Sequence, residues 1–163
     1  LSYGYENIRI FNADIYSNVN LFSNLFNYEM KIADVETILS KIKPPKKRCD
    51  TLWALCIKAR AGFVCEYSGE QGKQIGGEAN LNAHHIIGKP NFTLRYSLDN
   101  GVCITNGVHF FVAHHTARLQ DFRDKFIGKA RIKRLEKLKN VTVKASYKDK
   151  EKELFKTLEK LLN

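Results

Sequence analysis

The chain has 163 residues, 44% of them apolar, and a formal net charge of +10. That length suits one compact domain with an appendage, and the apolar share excludes a globally disordered chain. No run of about 18 apolar residues occurs, which excludes a membrane-spanning helix, and Leu1 to Glu6 shows neither the basic start nor the apolar stretch of a signal peptide. The positive charge points to a polyanionic partner. Residues 117–163 hold 15 Lys/Arg against 7 Asp/Glu and so supply +8 of it. Four cysteines, Cys49, Cys56, Cys65 and Cys103, form neither a C-x-x-C pair nor a dense disulfide pattern. They read as reduced, mostly small buried apolar groups of a cytoplasmic protein.

Residues 1–28, rich in Asn, Tyr and Phe, have no clear period and read as an arm. From Met30 to Ile42 the apolar residues Ile32, Val35, Ile38, Leu39 and Ile42 lie on a helical stripe. Pro44-Pro45 stops that helix, and Lys46-Lys47-Arg48 reads as a basic linker. A second helix is predicted from Asp50-Thr51 to Gly62, with Leu52, Leu55, Cys56 and Ala59 facing a core and Trp53 packed among them. Phe63-Val64-Cys65 is a short strand candidate, followed by a glycine-bearing turn from Ser68 to Gly77. Alternation predicts a strand from Ala79 to Ile87, a loop from Lys89 to Asn100, and a second strand from Val102 to Thr105. Asn106 is placed to cap a helix through Ala113. Another helix runs from about Ala117 through Leu138 with a Lys/Arg outer face, and a last amphipathic helix covers Lys150 to Leu162. The predicted organisation is an N-terminal arm and helix (1–48), a central domain (49–127) and a basic C-terminal helical segment (128–163).

All five histidines fall between positions 84 and 115. Neighbours on a strand point to opposite faces, so His84 and His85 can do two different jobs only if the strand end twists or bulges. His109 and His114 are five apart, an offset of about 140° on an α-helix, less convergent than an i, i+4 pair. That offset suggests that one of them sits behind the other.

The run His84-His85-Ile86-Ile87, then Arg95-Tyr96-Ser97-Leu98-Asp99-Asn100-Gly101, then His109 through His114 resembles the HNH (ββα-metal) endonucleases of phages and bacteria. The nine-residue step from Asn100 to His109 matches, and Asp50 to Trp53 and Cys65 to Gly69 resemble the helix and turn that lead into the motif. The resemblance covers about residues 50–127. It implies an α+β fold, a short antiparallel hairpin plus a helix embedded in several helices, and a single divalent ion (Mg, Mn, Ni or Zn). The zinc knuckles of many relatives are incomplete here: Ser68, Thr105 and Val108 stand where cysteines are expected, so no structural zinc is predicted.

The resemblance further implies roles. His85 is the general base that takes a proton from water. His84 and His109 hold the metal, and His114 completes or steadies that shell. Asn100 fixes the loop that orients His85. Arg95 is either a phosphate clamp or a brace for the loop. Arg118, Lys125, Lys129, Arg131, Lys133 and Arg134 form a face that tracks the DNA backbone, giving affinity and salt dependence but little sequence choice. DNA is the implied partner, with a phage or host protein as a further one and no membrane. The competing reading is a DNA-binding or structural module of the same fold that does not cut. A metallopeptidase lacks its H-E-x-x-H here, and a deaminase lacks both H-x-E and P-C-x-x-C.

Overall fold

A computed structural model describes residues 30–72, 80–89 and 91–163. The arm assigned to residues 1–28 and the end of the turn read from Ser68 to Gly77 lie outside the described residues. The architecture is mostly helical α+β, with one two-stranded antiparallel hairpin packed against helices. No helix among the described residues is long and apolar enough to cross a membrane.

Helix α1 (Ile32–Ser40) buries Val35 and Leu39, the positions expected from its stripe. The Lys31 amide donates to the Asp34 carboxylate at 3.0 Å, which satisfies one orphan donor of its first turn. Helix α2 (Pro45–Arg60) starts earlier than the sequence suggests. Proline at the first helical position costs nothing, because that residue's N–H has no helical partner and its fixed φ is already helical. Pro45 therefore begins a helix, and Lys46, Lys47 and Arg48 occupy its first turn, not a linker. Seven side chains of α2 are buried, from Cys49 to Ala59, which makes it the central element. Gly62 and Phe63 both take positive φ and end it. The strand expected at Phe63 to Cys65 is reduced to a single bridge, Val64 to Gln71.

Strands β1 (Leu81–His85) and β2 (Gly101–Thr105) pair antiparallel, with Leu81 opposite Thr105, His84 opposite Val102 and His85 opposite Gly101. Every residue of β2 is buried. The expected loop between the strands contains a one-turn helix, α3 (Phe92–Tyr96), capped by the Asn91 side chain, which accepts from the Leu94 amide at 2.8 Å. A 3-10 turn (Leu98–Asn100) then leads into β2.

After β2 the cap is Thr105, not Asn106: its hydroxyl accepts from the Val108 amide at 3.4 Å. The short helix α4 (Asn106–Val108) runs on into a π-helical turn (His109–Ala113). The long basic helix expected from Ala117 is three pieces: α5 (Thr116–Asp121), a π-helical segment (Phe122–Gly128) and α6 (Lys129–Glu136). Gly128, at φ 87°, interrupts the winding in a conformation that only glycine adopts without strain. Helix α7 (Tyr147–Leu162) closes the fold. It packs on α2, with the Cys49 and Cys56 thiols donating to the Tyr147 and Leu154 carbonyls and Arg48 paired to Glu151. One hydrophobic core takes residues from Val35 on α1, Leu52 and Ile57 on α2, Ile104 on β2, Leu135 on α6 and Leu158 on α7. The described parts of the three segments therefore contribute to one core, and the C-terminal helix is part of it.

Candidate metal centre and its surroundings

His84 is the next-to-last residue of β1, and the strand pleat sends it to the face covered by the π-helical turn. Its ring lies 5.1 Å from that of His109 and 5.3 Å from that of His114. The Nε2 atoms of His109 and His114 are 3.1 Å apart, and ligand nitrogens of all three residues fall within 4.8 Å of one another. Among the described residues this is the single group of three or more His, Cys, Asp or Glu side chains that converges in this way.

The π-helical winding explains the convergence. An i→i+5 ladder has about 4.4 residues per turn, which narrows the offset between residues five apart from about 140° to about 50°. His114, the residue just past the π-helical turn, thus comes round toward His109, and both rings approach His84. Phe122 closes the other side, with its ring 6.0 Å from His84, and joins Phe126 and Tyr67 in an aromatic cluster.

Burial, and then the neighbouring His109 and His114, hold His84 down to about 4, which leaves its imidazole neutral at physiological pH. Burial and then His114 also lower His109. Three imidazoles whose ligand nitrogens lie within 4.8 Å of one another suit a divalent ion. Two nitrogens on a tetrahedral ion with bonds of about 2.0–2.1 Å lie about 3.4 Å apart, close to the separation of the His109 and His114 pair.

His85 points the other way. Its ring stacks on Trp53 of α2, with centroids 3.7 Å apart and planes 16° from parallel. Its Nε2 donates to the Arg95 carbonyl at 2.9 Å. A carbonyl can only accept, so the proton sits on Nε2 and the lone pair on Nδ1. Burial drives His85 down to about 4 despite that hydrogen bond, leaving the ring neutral at neutral pH. No bulge is needed: the ordinary pleat of β1 gives two adjacent histidines two different surroundings.

Asn100 is fully buried. Its Oδ1 accepts from the Ile87 amide at 2.8 Å, and its Nδ2 donates to the Ile87 and Leu94 carbonyls at 2.8 and 2.9 Å. It thus ties the exit of β1 to α3 and fixes the chain one residue before the Arg95 carbonyl that holds His85. The 3-10 turn that carries Asn100 is itself braced by arginines. Arg60 donates to the Leu98 and Gly101 carbonyls at 2.7 and 2.8 Å. Arg131 donates to the Asp99 and Gly101 carbonyls, both at 2.9 Å.

Arg131 is therefore half-buried against this turn, unlike the other basic residues read with it. Its partners are the Asp99 and Gly101 carbonyls and the Asp99 carboxylate at 3.3 Å. Arg95 takes the bracing role left open by the sequence: Nε and Nη2 reach the Asp50 carboxylate at 2.7 and 2.6 Å. Burial alone would raise Asp50, but the Arg95 hydrogen bonds and charge outweigh it and hold the carboxyl below its ordinary value. Arg118, Lys125, Lys129, Lys133 and Arg134 are exposed. Arg134 pairs with Asp99 at 3.0 Å and Lys125 with Asp121 at 3.0 Å. Sequence reasoning places Arg123 and Lys139 in the basic C-terminal stretch but misses that they border one surface with Lys89. A shallow concavity of about 510 Å³ beyond the end of β1 is lined by Ile86, Ile87, Gly88, Lys89, Arg123 and Lys139.

The four cysteines are free and buried. The Cys65 thiol accepts from the amides of Ser68 and Thr105, both at 3.4 Å. One sulfur thus links the two turns that carry zinc ligands in the resembled family. Burial, followed by Glu66 and Cys65, pushes the Cys103 thiol up to about 12, far from thiolate chemistry. Comparison of the chain with protein-family models, with curated proteins and with solved structures finds no match.

Proposed function

We propose that this chain is a metal-dependent DNA endonuclease of the HNH type, its hairpin and the following helical turn forming a ββα-metal core. One observation carries the reading. His84, His109 and His114 converge on one side of the hairpin, while the adjacent His85 is held as a single tautomer with Nδ1 open. A ligand set and a separately oriented base are the two parts that phosphodiester hydrolysis requires.

His84, His109 and His114 would hold the ion. When bound, it supplies Lewis-acid polarisation of the phosphoryl group and offsets charge on the leaving oxygen; three imidazoles suit Zn²⁺, Ni²⁺ or Mn²⁺, while Mg²⁺ needs further oxygen ligands. His85 takes the proton from the attacking water at Nδ1 as the oxygen–phosphorus bond forms. The bond from phosphorus to O3′ breaks, and solvent protonates that oxygen, leaving a 3′-hydroxyl and a 5′-phosphate. The Arg95 carbonyl and Trp53 hold His85, and Asn100 holds the Leu94 carbonyl one residue before Arg95. Lys89, Arg123 and Lys139 offer a phosphate track beside the exit of β1, and Lys125, Lys129 and Lys133 offer another.

The test is plasmid cleavage by the wild type and His85→Ala in Mg²⁺, Mn²⁺, Ni²⁺ or EDTA. Nicking or linearisation that needs metal and vanishes in the variant supports the reading. DNA bound but never cut, under any of these metals, replaces it with a binding module.

A further inference from the structure

Phe110 and Phe111 are 68% and 66% exposed, against 43% for Tyr67, the next most exposed large aromatic side chain among the described residues. They stand in the π-helical turn His109–Ala113, which supplies one ligand of the candidate metal centre and leads directly into another. The Phe110 ring lies 5.6 Å from that of His109. Arg118 donates to the Phe111 carbonyl at 3.3 Å, which places a cation next to the pair. The flanking exposed residues include Asn106, His114, His115, Thr116, Ala117 and Arg118, while Val108 and Val112 are half-buried and Ala113 is buried. The patch is therefore two aromatic rings bordered mainly by hydrogen-bonding side chains and the Arg118 cation.

Resting on the endonuclease reading, we infer that Phe110 and Phe111 form a stacking platform for unpaired bases of the DNA strand that enters the metal centre. The charge around the platform suits a polyanion, and a ring beside His109 stands where the nucleotide next to a phosphate at that centre must pass. A base paired and stacked within a duplex offers no free face. Only single-stranded, frayed or unstacked DNA can use the rings. The substrate class is then DNA with unpaired bases at the cut, and matched duplex is the poorer substrate.

The test measures binding in EDTA, where cutting is absent, using a single-stranded oligonucleotide with 2-aminopurine at successive positions and a matched duplex of equal length. The proteins are the wild type and the double variant Phe110→Ala/Phe111→Ala, whose surface changes leave the melting curve in place. The wild type should quench 2-aminopurine at one or two adjacent positions. The double variant should lose that quenching and bind the single strand about tenfold more weakly per base released, while its duplex affinity changes less than about twofold. Equal losses on both DNAs, or no loss on either, overturn the platform. A variant that converts a dimer to a monomer with unchanged DNA binding also overturns it and assigns the rings to a second copy. DNA that is cut equally well by the variant removes the platform alone, whereas a wild type that binds no DNA removes the nuclease reading with it.

Discussion

Truncating Asn100 to alanine tests whether one buried amide organises the site. The residue is fully buried and makes three hydrogen bonds, one from the Ile87 amide and two to the Ile87 and Leu94 carbonyls. Asn100→Ala removes all three and leaves one amide and two carbonyls without partners in the interior. A net hydrogen bond is worth about 1 kcal/mol, and each buried partner left behind costs about 1–3 kcal/mol. Water entering the hole recovers part of this, so the total is roughly 3–5 kcal/mol, a large share of the ~5–15 kcal/mol that holds a domain together. At about 2–4 °C per kcal/mol for a chain of this size, the melting temperature should fall by about 6–20 °C. Thermal unfolding followed by circular dichroism, with urea titration as a second measure, reads the loss directly. Asn100→Asp separates bonding from volume. It keeps the acceptor for the Ile87 amide but turns its second oxygen toward two carbonyls, so it should be no more stable than the alanine variant at pH 7. It should recover as acid restores a proton to that oxygen. A fall of less than 2 °C for Asn100→Ala refutes the reasoning, because α3 and the exit of β1 would then be held by other contacts.

The remaining expectations concern the metal group and the His85 platform. Added Zn²⁺ or Ni²⁺ at about a hundred times its dissociation constant should stabilise the folded chain by about 2.7 kcal/mol, or roughly 5–10 °C. His84→Ala or His109→Ala should abolish that shift. His85→Ala should keep it, because the His85 ring lies against Trp53; a shift lost only in His85→Ala would reverse the assignment. Gly101→Ala should lower stability by about 1–3 kcal/mol through overpacking. A Cβ there would lie 2.4 Å from Ile57 Cδ1 and 2.7 Å from Trp53 Cζ2. Since Trp53 carries the His85 ring, nuclease turnover should fall further than DNA affinity; equal falls would separate Trp53 from the chemistry.

Much of the frame was legible because it rests on local pattern. The strands expected at Ala79 to Ile87 and Val102 to Thr105 lie within two residues of those found, Leu81–His85 and Gly101–Thr105. The stripes of α1, α2 and α7 likewise survived, since burial of one face is what folds them. Other features depend on partners remote in sequence. Nothing local distinguishes Arg131, which faces the Asp99 and Gly101 carbonyls, from Lys133, which faces solvent: charge says what a side chain is, and packing decides where it goes. Trp53 was read as core, and its second duty under His85 requires the β1–α2 contact. Pro44-Pro45 reads as a stop, but Pro45 also opens the next helix, because a proline fits the first helical position as readily as it ends the preceding one. The π-helical turn was the least legible feature. Each π turn gives up good α-helical hydrogen bonding, and only the tertiary position of His84 makes the convergence of His109 and His114 visible.

The two adjacent histidines show why the hairpin, and no helix, is suited to the proposed chemistry. A ligand and a general base have the same chemical need, an imidazole kept neutral with one lone pair available. Two such rings side by side in one environment would both bind the ion, and none would remain to take a proton from water. The pleat of β1 separates them before any side chain packs, sending His84 toward the π-helical turn and His85 toward α2. Trp53 then covers one face of the His85 ring, and the Arg95 carbonyl occupies Nε2, so the remaining lone pair can point in only one direction. His84 has neither restraint and is bounded instead by His109, His114 and Phe122. On the proposed reading, the division of labour between base and ligand comes from one strand's alternation and one tryptophan, with no difference between the two residues themselves.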